Sequence, residues 1–317
     1  MNNIVRYKAD GKTGWGVAHG ERIFPLDSSA ATLADFLRED AAGARALDPD
    51  QLNYSLKLSD VELLSPVTEP CRVVCQGLNY KDHVIEAGGD PRDIQFNMIF
   101  RKSSTSIAPP DTEIRRPEHV RLLDYEVELG IVIGREIDAN SKITNENLGE
   151  YIAGIVVAND VSARDVQIPQ GQWYKGKSYP TFCPLGPFLR LLEPGEAHLL
   201  NDLDLELRVN GEVRQRSNTG NLIFPPAPTL AEIATFMKLS PGDILLTGTP
   251  GGVVVKAPPT IVRRLAGLFL NERQLMEVFV KKQAQNPAYL KTGDVIESRI
   301  YSDRAGIDLG LQRNVVV

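Results

Sequence analysis

The sequence predicts a β-rich α+β fold, a mixed β-sandwich or roll with short peripheral helices and a small N-terminal domain. Three observations carry that expectation. Short apolar or alternating segments, bounded by Gly, Pro, Asn and Asp, recur along most of the chain. Helical periodicity is confined to a few short stretches. Strands and helices do not alternate in the βαβ order of a doubly wound nucleotide-binding fold.

The elements follow in chain order. Residues 1–26 contain IVRYK, GWGVA and ERIFPL as strands, with Gly11 and Gly20 in the turns. ATLADFL then reads as a short helix, and residues 41–60 are polar with weak apolar positions. SPVTEP, at 65–70, carries two prolines and reads as a linker, so a small domain is expected over 1–65 and a main domain over 66–317. In the main domain RVVCQG is a short strand and LLDYEVELGIVIG (122–134) a long one. YIAGIVVAND (151–160) is nearly all apolar, as a central strand requires. In LDLELRVNGEVRQRSN, Leu203, Leu205, Leu207 and Val209 alternate with charged residues before Asn210-Gly211, the pattern of a hairpin. TLAEIATFMKLS (229–240) reads as a helix opened by a Thr229–Glu232 capping box. PGDILLTGTP reads as a turn, a strand and a tight loop. Residues 257–290 mix helical spacing with many charges and are expected to form a helical insertion of two short helices. The C-terminus returns to strands in GDVIESRI and IDLGLQRNVVV.

Composition narrows the function. The 317 residues are 42% hydrophobic and 24% charged, ordinary for a soluble globular protein. A net charge of −6 argues against nucleic-acid binding, which needs a cationic surface. An anionic small substrate is compatible with it, because a bound metal ion reverses the local field. Cys71, Cys75 and Cys183 fit neither zinc nor redox spacing and read as buried free thiols in a reducing cytosol. The N-terminus lacks the apolar core of a signal peptide, and no uncharged apolar run reaches the roughly 18 residues of a membrane span. A cytoplasmic protein without membrane partners is expected.

GQWYKGKS (171–178) matches the G-x-x-x-x-G-K-[ST] pattern of a phosphate-binding loop, but its context does not. No strand feeds it, Pro180, Pro184 and Pro187 follow it, and Trp173, Tyr174 and Lys175 fill the interior that must wrap phosphate. Lys177 therefore serves another purpose.

Four constellations carry chemistry. Glu126 and Glu128 leave the same face of one strand, with apolar residues on the other. Two adjacent carboxylates repel unless solvent, a proton or a cation intervenes, so the pair fits either a solvated acidic face or an all-oxygen Mg²⁺, Mn²⁺ or Ca²⁺ site. Asp160 ends an apolar strand, as a third ligand or as a turn residue, with Arg164 and Gln167 in a polar loop after it. His83 and Glu86 are three apart, which on a helical turn makes either an acid–base dyad or a partly exposed ion pair. Lys177 and Thr249, the latter in LLTGTPGG, complete the set; that glycine-rich loop is an ordinary turn cluster or a close approach to an anion.

Taken in order, GLNYKDHVIEAG, DYEVELGIVIG, GIVVANDVSARDVQ, KSYPTFCPLGPF, LRVNGEVRQ and ILLTGTPGGV resemble the fumarylacetoacetate hydrolase family over residues 66–255 and, more loosely, the C-terminal strands. The resemblance implies a β-rich roll around the active site, a homodimer and a Mg²⁺-type centre. It implies Glu126, Glu128 and Asp160 as metal ligands, Lys177 beside the substrate, and His83 with Glu86 as the acid–base dyad. Gln167, Thr249 and Arg164 match positions that contact substrate or water. Two departures stand out: Gln76 occupies a region where some relatives carry a fourth acidic ligand, and the 257–290 insertion follows the TGTP loop. The implied substrate is a small 2-oxo acid. Hydrolysis of a C–C bond in an acylpyruvate is the first expectation. Decarboxylation or keto–enol isomerisation of a 2-oxo diacid, of the oxaloacetate or hydroxyhepta-diene-dioate type, is the alternative, and a catalytically silent binding protein is the rival from another class.

Overall fold

Strand Val127–Ile133 is buried along its whole length in a computed structural model of the chain, which describes residues 2–48, 51, 54–256 and 271–317. One face sends Val127, Leu129, Ile131 and Ile133 into a core shared with Leu205, Leu207, Ile296, Ile300 and Leu309. The opposite face puts Val132 into a second core with Val156, Ile244, Leu246, Leu33 and Phe36. Each such side chain contributes about 1.5–3 kcal/mol by leaving water. A strand buried on both faces explains why this segment and Ile152–Asn159 read as near-continuous apolar runs.

These two strands lie side by side in an eleven-stranded sheet. Its order is Leu56–Lys57, Arg22–Pro25, Lys12–His19, Asn3–Ala9, Leu189–Leu191, Ile152–Asn159, Val127–Ile133, Ile244–Leu246, Val73–Gly77 and Met98–Lys102, with Glu62–Leu64 paired to Asn3–Ala9 off this path. The N-terminal strands thus extend the same sheet, through Asn3 opposite Arg190 and Ile4 opposite Leu189. A second sheet runs Glu212–Asn218, Asp204–Val209, Val295–Ser302, Ile307–Val316 and Asp111–Ile114. Ile152–Asn159 packs on Val295–Ser302 and Ile307–Val316, so the two sheets face each other, as the fold class predicts.

Several local expectations change. The long strand over 122–134 is two strands: Leu123–Asp124 pairs with Ser162–Ala163, whereas Val127–Ile133 pairs with Ile152–Asn159. The chain changes partner at Tyr125 and Glu126, and that break sits at the site described below. The hairpin at Asn210-Gly211 forms as read, both residues taking positive φ (52° and 80°). The helix expected at 229–240 is Pro226–Ala234, without a side-chain cap. Proline opens a helix readily because first-turn N–H groups have no intrahelical partner. Thr229 is therefore interior, and its hydroxyl accepts hydrogen bonds from Gln76 Nε2 (3.0 Å) and Asn97 Nδ2 (3.1 Å). Of the insertion expected over 257–290, residues 257–270 lie outside the described residues; the remainder carries one helix, Glu272–Gln283, capped by Asn271. All three cysteines are free, with Cys75 and Cys183 buried. Among the described residues no helix is long and apolar enough to cross a membrane.

Candidate active site

The break between Leu123–Asp124 and Val127–Ile133 is pinned from the next strand. Asn159 Oδ1 accepts the Glu126 N–H at 3.0 Å, and the Asp160 N–H donates to the Glu126 carbonyl at 2.8 Å. Glu126 and Asp160 are thereby fixed to each other through backbone. Glu128 leaves the same strand edge and accepts the Gly248 N–H at 2.8 Å. The three side chains converge: ligand oxygens of Glu126, Glu128 and Asp160 all lie within 4.8 Å of one another, and all three residues are buried. A solvated acidic face is excluded for Glu126 and Glu128.

Lysine and arginine balance much of this charge. Lys177, 1% exposed, donates to Glu126 Oε2 at 2.8 Å and to Asp160 Oδ2 at 2.5 Å. Lys102, fully buried, pairs with the other Asp160 oxygen and donates to the Phe182 carbonyl at 2.7 Å. Arg164 lies 2.6 Å from Glu126 Oε1 as an ion pair, donates through Nε to Asp124 Oδ2 at 2.9 Å, and through Nη1 to Gln167 Oε1 at 2.9 Å. Arg164 and Gln167 lie on a helix, Arg164–Gln170, and not in the polar loop expected there; Gly171, at φ 59°, closes it one residue later. Pro169 lies inside this helix and removes one N–H donor from it.

The electrostatics separate Glu126 from Glu128. Burial works against the Glu126 carboxylate, but the Lys177 ammonium and the Arg164 guanidinium outweigh it and hold its pKa below the ordinary range. Burial, followed by the Asp160 and Glu126 carboxylates, drives Glu128 well above that range. Burial opposes the Lys177 charge, yet Asp160 and Glu126 raise its pKa above that of a free lysine. Among the described residues Glu128 makes no ion pair with a lysine or arginine, and its direct partner is one neutral N–H. Three buried oxygen donors, one of them short of a counter-charge, fit a hard divalent cation of the Mg²⁺ class.

The remaining expected residues lie at the edge of this cluster. Thr249 donates its hydroxyl to the Val127 carbonyl (3.1 Å) and accepts from Gln215 Nε2 (2.8 Å), so it braces the strand. His83 and Glu86 sit on the short helix Lys81–Glu86. Burial is the main cause that lowers the His83 pKa, against an opposing pull from Glu126. The His83 Nδ1 atom is buried without a hydrogen-bond partner. Glu86 accepts the Gly252 N–H at 2.5 Å and pairs with Lys256 at 3.3 Å. The two residues therefore share a helix without the mutual hydrogen bond of a dyad.

Sequence reasoning missed Lys102, Asp124 and Gln215. Asp124 collects Arg164 Nε and the N–H groups of Val254 (3.1 Å) and Val255 (3.3 Å). Gln215 accepts the Val127 N–H at 2.9 Å and donates to Thr249 and the Pro250 carbonyl. Gln215 carried a usable signal, an amide at an inward position of the hairpin.

The family described as Fumarylacetoacetate (FAA) hydrolase C-terminal matches residues 72–317. The chain is 39% identical over 223 residues to a Xenopus laevis protein named oxaloacetate tautomerase, mitochondrial, covering 69% of this chain and 66% of that protein. It is 42% identical over 209 residues to the Rattus norvegicus protein of that name, covering 65% and 64%. These matches span just under two thirds of the curated relatives. Among solved structures, a fumarylacetoacetate hydrolase from Exiguobacterium antarcticum superposes with a TM-score of 0.74 at 30% identity, over 100% of this chain and 99% of that one. A 2-hydroxyhepta-2,4-diene-1,7-dioate isomerase from Mycobacterium marinum gives 0.70 at 26%, over 100% and 98%.

Proposed function

Because the chain belongs to the fumarylacetoacetate hydrolase family, we propose that it interconverts the keto and enol forms of a 2-oxo diacid, using a divalent cation held by Glu126, Glu128 and Asp160. The observation that carries this reading is the buried three-carboxylate cluster with Lys177 on two of its members. The relatives' names favour it over C–C hydrolysis: two are called oxaloacetate tautomerase and one a dienedioate isomerase. Hydrolysis ranks second, since it needs a His83–Glu86 pair to activate water and Glu86 is engaged with Gly252 and Lys256.

A cation of this class, when bound, supplies Lewis acidity that acidifies the carbon beside a 2-oxo group. Lys177 holds a fixed positive charge where the oxygen gains negative charge. His83, kept neutral by burial, takes the proton from that carbon. The C–H bond breaks, its electrons form a C=C bond, and the former carbonyl oxygen gains a proton, so nothing else is consumed.

Oxaloacetate with Mg²⁺ tests this, the enol form followed by ultraviolet absorbance and the products by mass. Tautomer exchange should accelerate with Mg²⁺ and return to the uncatalysed rate with a chelator. Cleavage of an acylpyruvate into two acids, without any effect on oxaloacetate tautomers, overturns the proposal in favour of hydrolysis.

A further inference from the structure

The helix that ends at Lys177 begins at Trp173, four residues earlier, so the two side chains lie on one helix face. Phe100 faces both. Its ring is edge-on to Trp173 with centroids 5.0 Å apart, and the Lys177 ammonium lies 5.3 Å from the Phe100 centroid. Phe100 stands two residues from Lys102 on strand Met98–Lys102, so one strand face braces Lys177 through an aromatic ring and Asp160 through an ammonium. The Trp173 ring also lies over Gly77, where a Cβ would meet it at 2.8 Å. Gly77 ends the strand that runs into the helix carrying His83. The short helix is also seated tightly on its neighbour: a Cβ at Gly176 would meet Gln167 Cβ at 2.7 Å.

We infer that Trp173 is a positioning residue that clamps the Lys177 side chain against Phe100 and ties its helix to the start of the His83 segment. This rests on the role of Lys177 given above. It also accounts for the phosphate-loop look-alike GQWYKGKS: the motif serves a buried lysine whose helix is keyed by an indole, with Gly77 omitting a side chain to admit it. A lysine displaced by even one ångström from a developing charge forfeits much of its effect, on the order of 100-fold in rate.

The test is steady-state kinetics of Mg²⁺-loaded full-length protein on oxaloacetate, with Lys177→Met, Trp173→Ala, Trp173→Phe, Gly77→Ala and the Gly77→Ala/Trp173→Ala double variant. Trp173→Ala should lose roughly 10- to 100-fold in kcat with KM within about twofold, because a misplaced lysine weakens the transition state more than substrate binding. Trp173→Phe should recover most of the loss. Gly77→Ala should reproduce it, and the double variant should be no worse than Trp173→Ala alone, since both substitutions break one contact. A second readout is independent of turnover: with Trp15 replaced by Phe, Trp173 is the remaining tryptophan, and its fluorescence should shift in Gly77→Ala at unchanged thermal midpoint. If Lys177→Met is inactive while Trp173→Ala and Gly77→Ala keep wild-type kcat, the positioning role is wrong and the function stands. If Lys177→Met keeps wild-type turnover, the reading of the site fails with it. Additive losses in the double variant overturn the coupling.

Discussion

Gly248 donates its N–H to Glu128 at 2.8 Å from a backbone held at φ 90°, a conformation that favours glycine. The carboxylate receiving that bond is crowded by Asp160 and Glu126 and, among the described residues, forms no ion pair with a lysine or arginine. Replacing Glu128 with Gln removes a disfavoured charge while keeping an acceptor. The metal-free Glu128→Gln protein should be at least as thermostable as wild type. Mg²⁺ should stabilise wild type, by about 2.7 kcal/mol at a hundred times its dissociation constant, and leave Glu128→Gln unmoved. Thermal melts with and without Mg²⁺ decide it; an equal Mg²⁺ shift in both proteins removes Glu128 from the ligand set.

Lys102 and Asp160 form a fully buried pair. Removing one partner of such a pair leaves an uncompensated charge and costs about 3–5 kcal/mol. Asp160 keeps Lys177 as a partner, so Lys102→Met should lower stability by no more than that amount in denaturant titrations, and Lys102→Met/Asp160→Asn should recover a large part of it. Failure of the double variant to recover stability would mean that Lys102 acts through packing and the Phe182 carbonyl instead of charge.

The contrast between these two sites explains what the sequence reveals. Glu128 and Asp160 stand out because a carboxylate in or at the end of an apolar strand is costly unless it is used. Lys102 does not stand out: it ends a strand beside Arg101 and Ser103, where a lysine is ordinarily solvated, and its burial comes from Asp160, 58 positions later. Asp124 opens DYEVELGIVIG, yet its partner Arg164 is 40 residues away. The two packed sheets follow from strand patterning, whereas the bend at Tyr125 and Glu126 depends on pairing with strands far along the chain. The Thr229 box failed for a related reason, since prolines upstream had already started the helix.

Asp124 joins the Arg164 guanidinium to the backbone of Val254 and Val255. A neutral amide at this position keeps one acceptor oxygen and loses the ion pair. Asp124→Asn should loosen the 248–256 segment and weaken the hold on Arg164. Amide exchange at Val254 and Val255 should accelerate at least tenfold, equivalent to about 1.4 kcal/mol of local protection. Unchanged exchange at both amides would show that the segment is held by its other contacts, among them Glu86 on Gly252 and Gln215 on Pro250.

His83 gives the molecule a pH dependence whose direction is fixed by its burial. Burial lowers the imidazole pKa in the folded chain, while in the unfolded chain it returns to about 6.5. Above that value both states are neutral and the stability is fully present. As pH falls below about 6.5 the unfolded state binds the proton first, so stability declines until the folded-state pKa is also passed. Each unit of depression corresponds to about 1.4 kcal/mol. Replacing His83 with Gln removes the titration and should flatten the loss of stability between about pH 6.5 and pH 5, measured by urea unfolding of both proteins across that range. The same depression keeps the proposed base neutral, so the acid limb of kcat/KM should lie below an ordinary histidine's and disappear in the variant together with most turnover. An identical stability slope in wild type and His83→Gln would show that burial does not depress the imidazole, and wild-type turnover in His83→Gln would end its candidacy as the base.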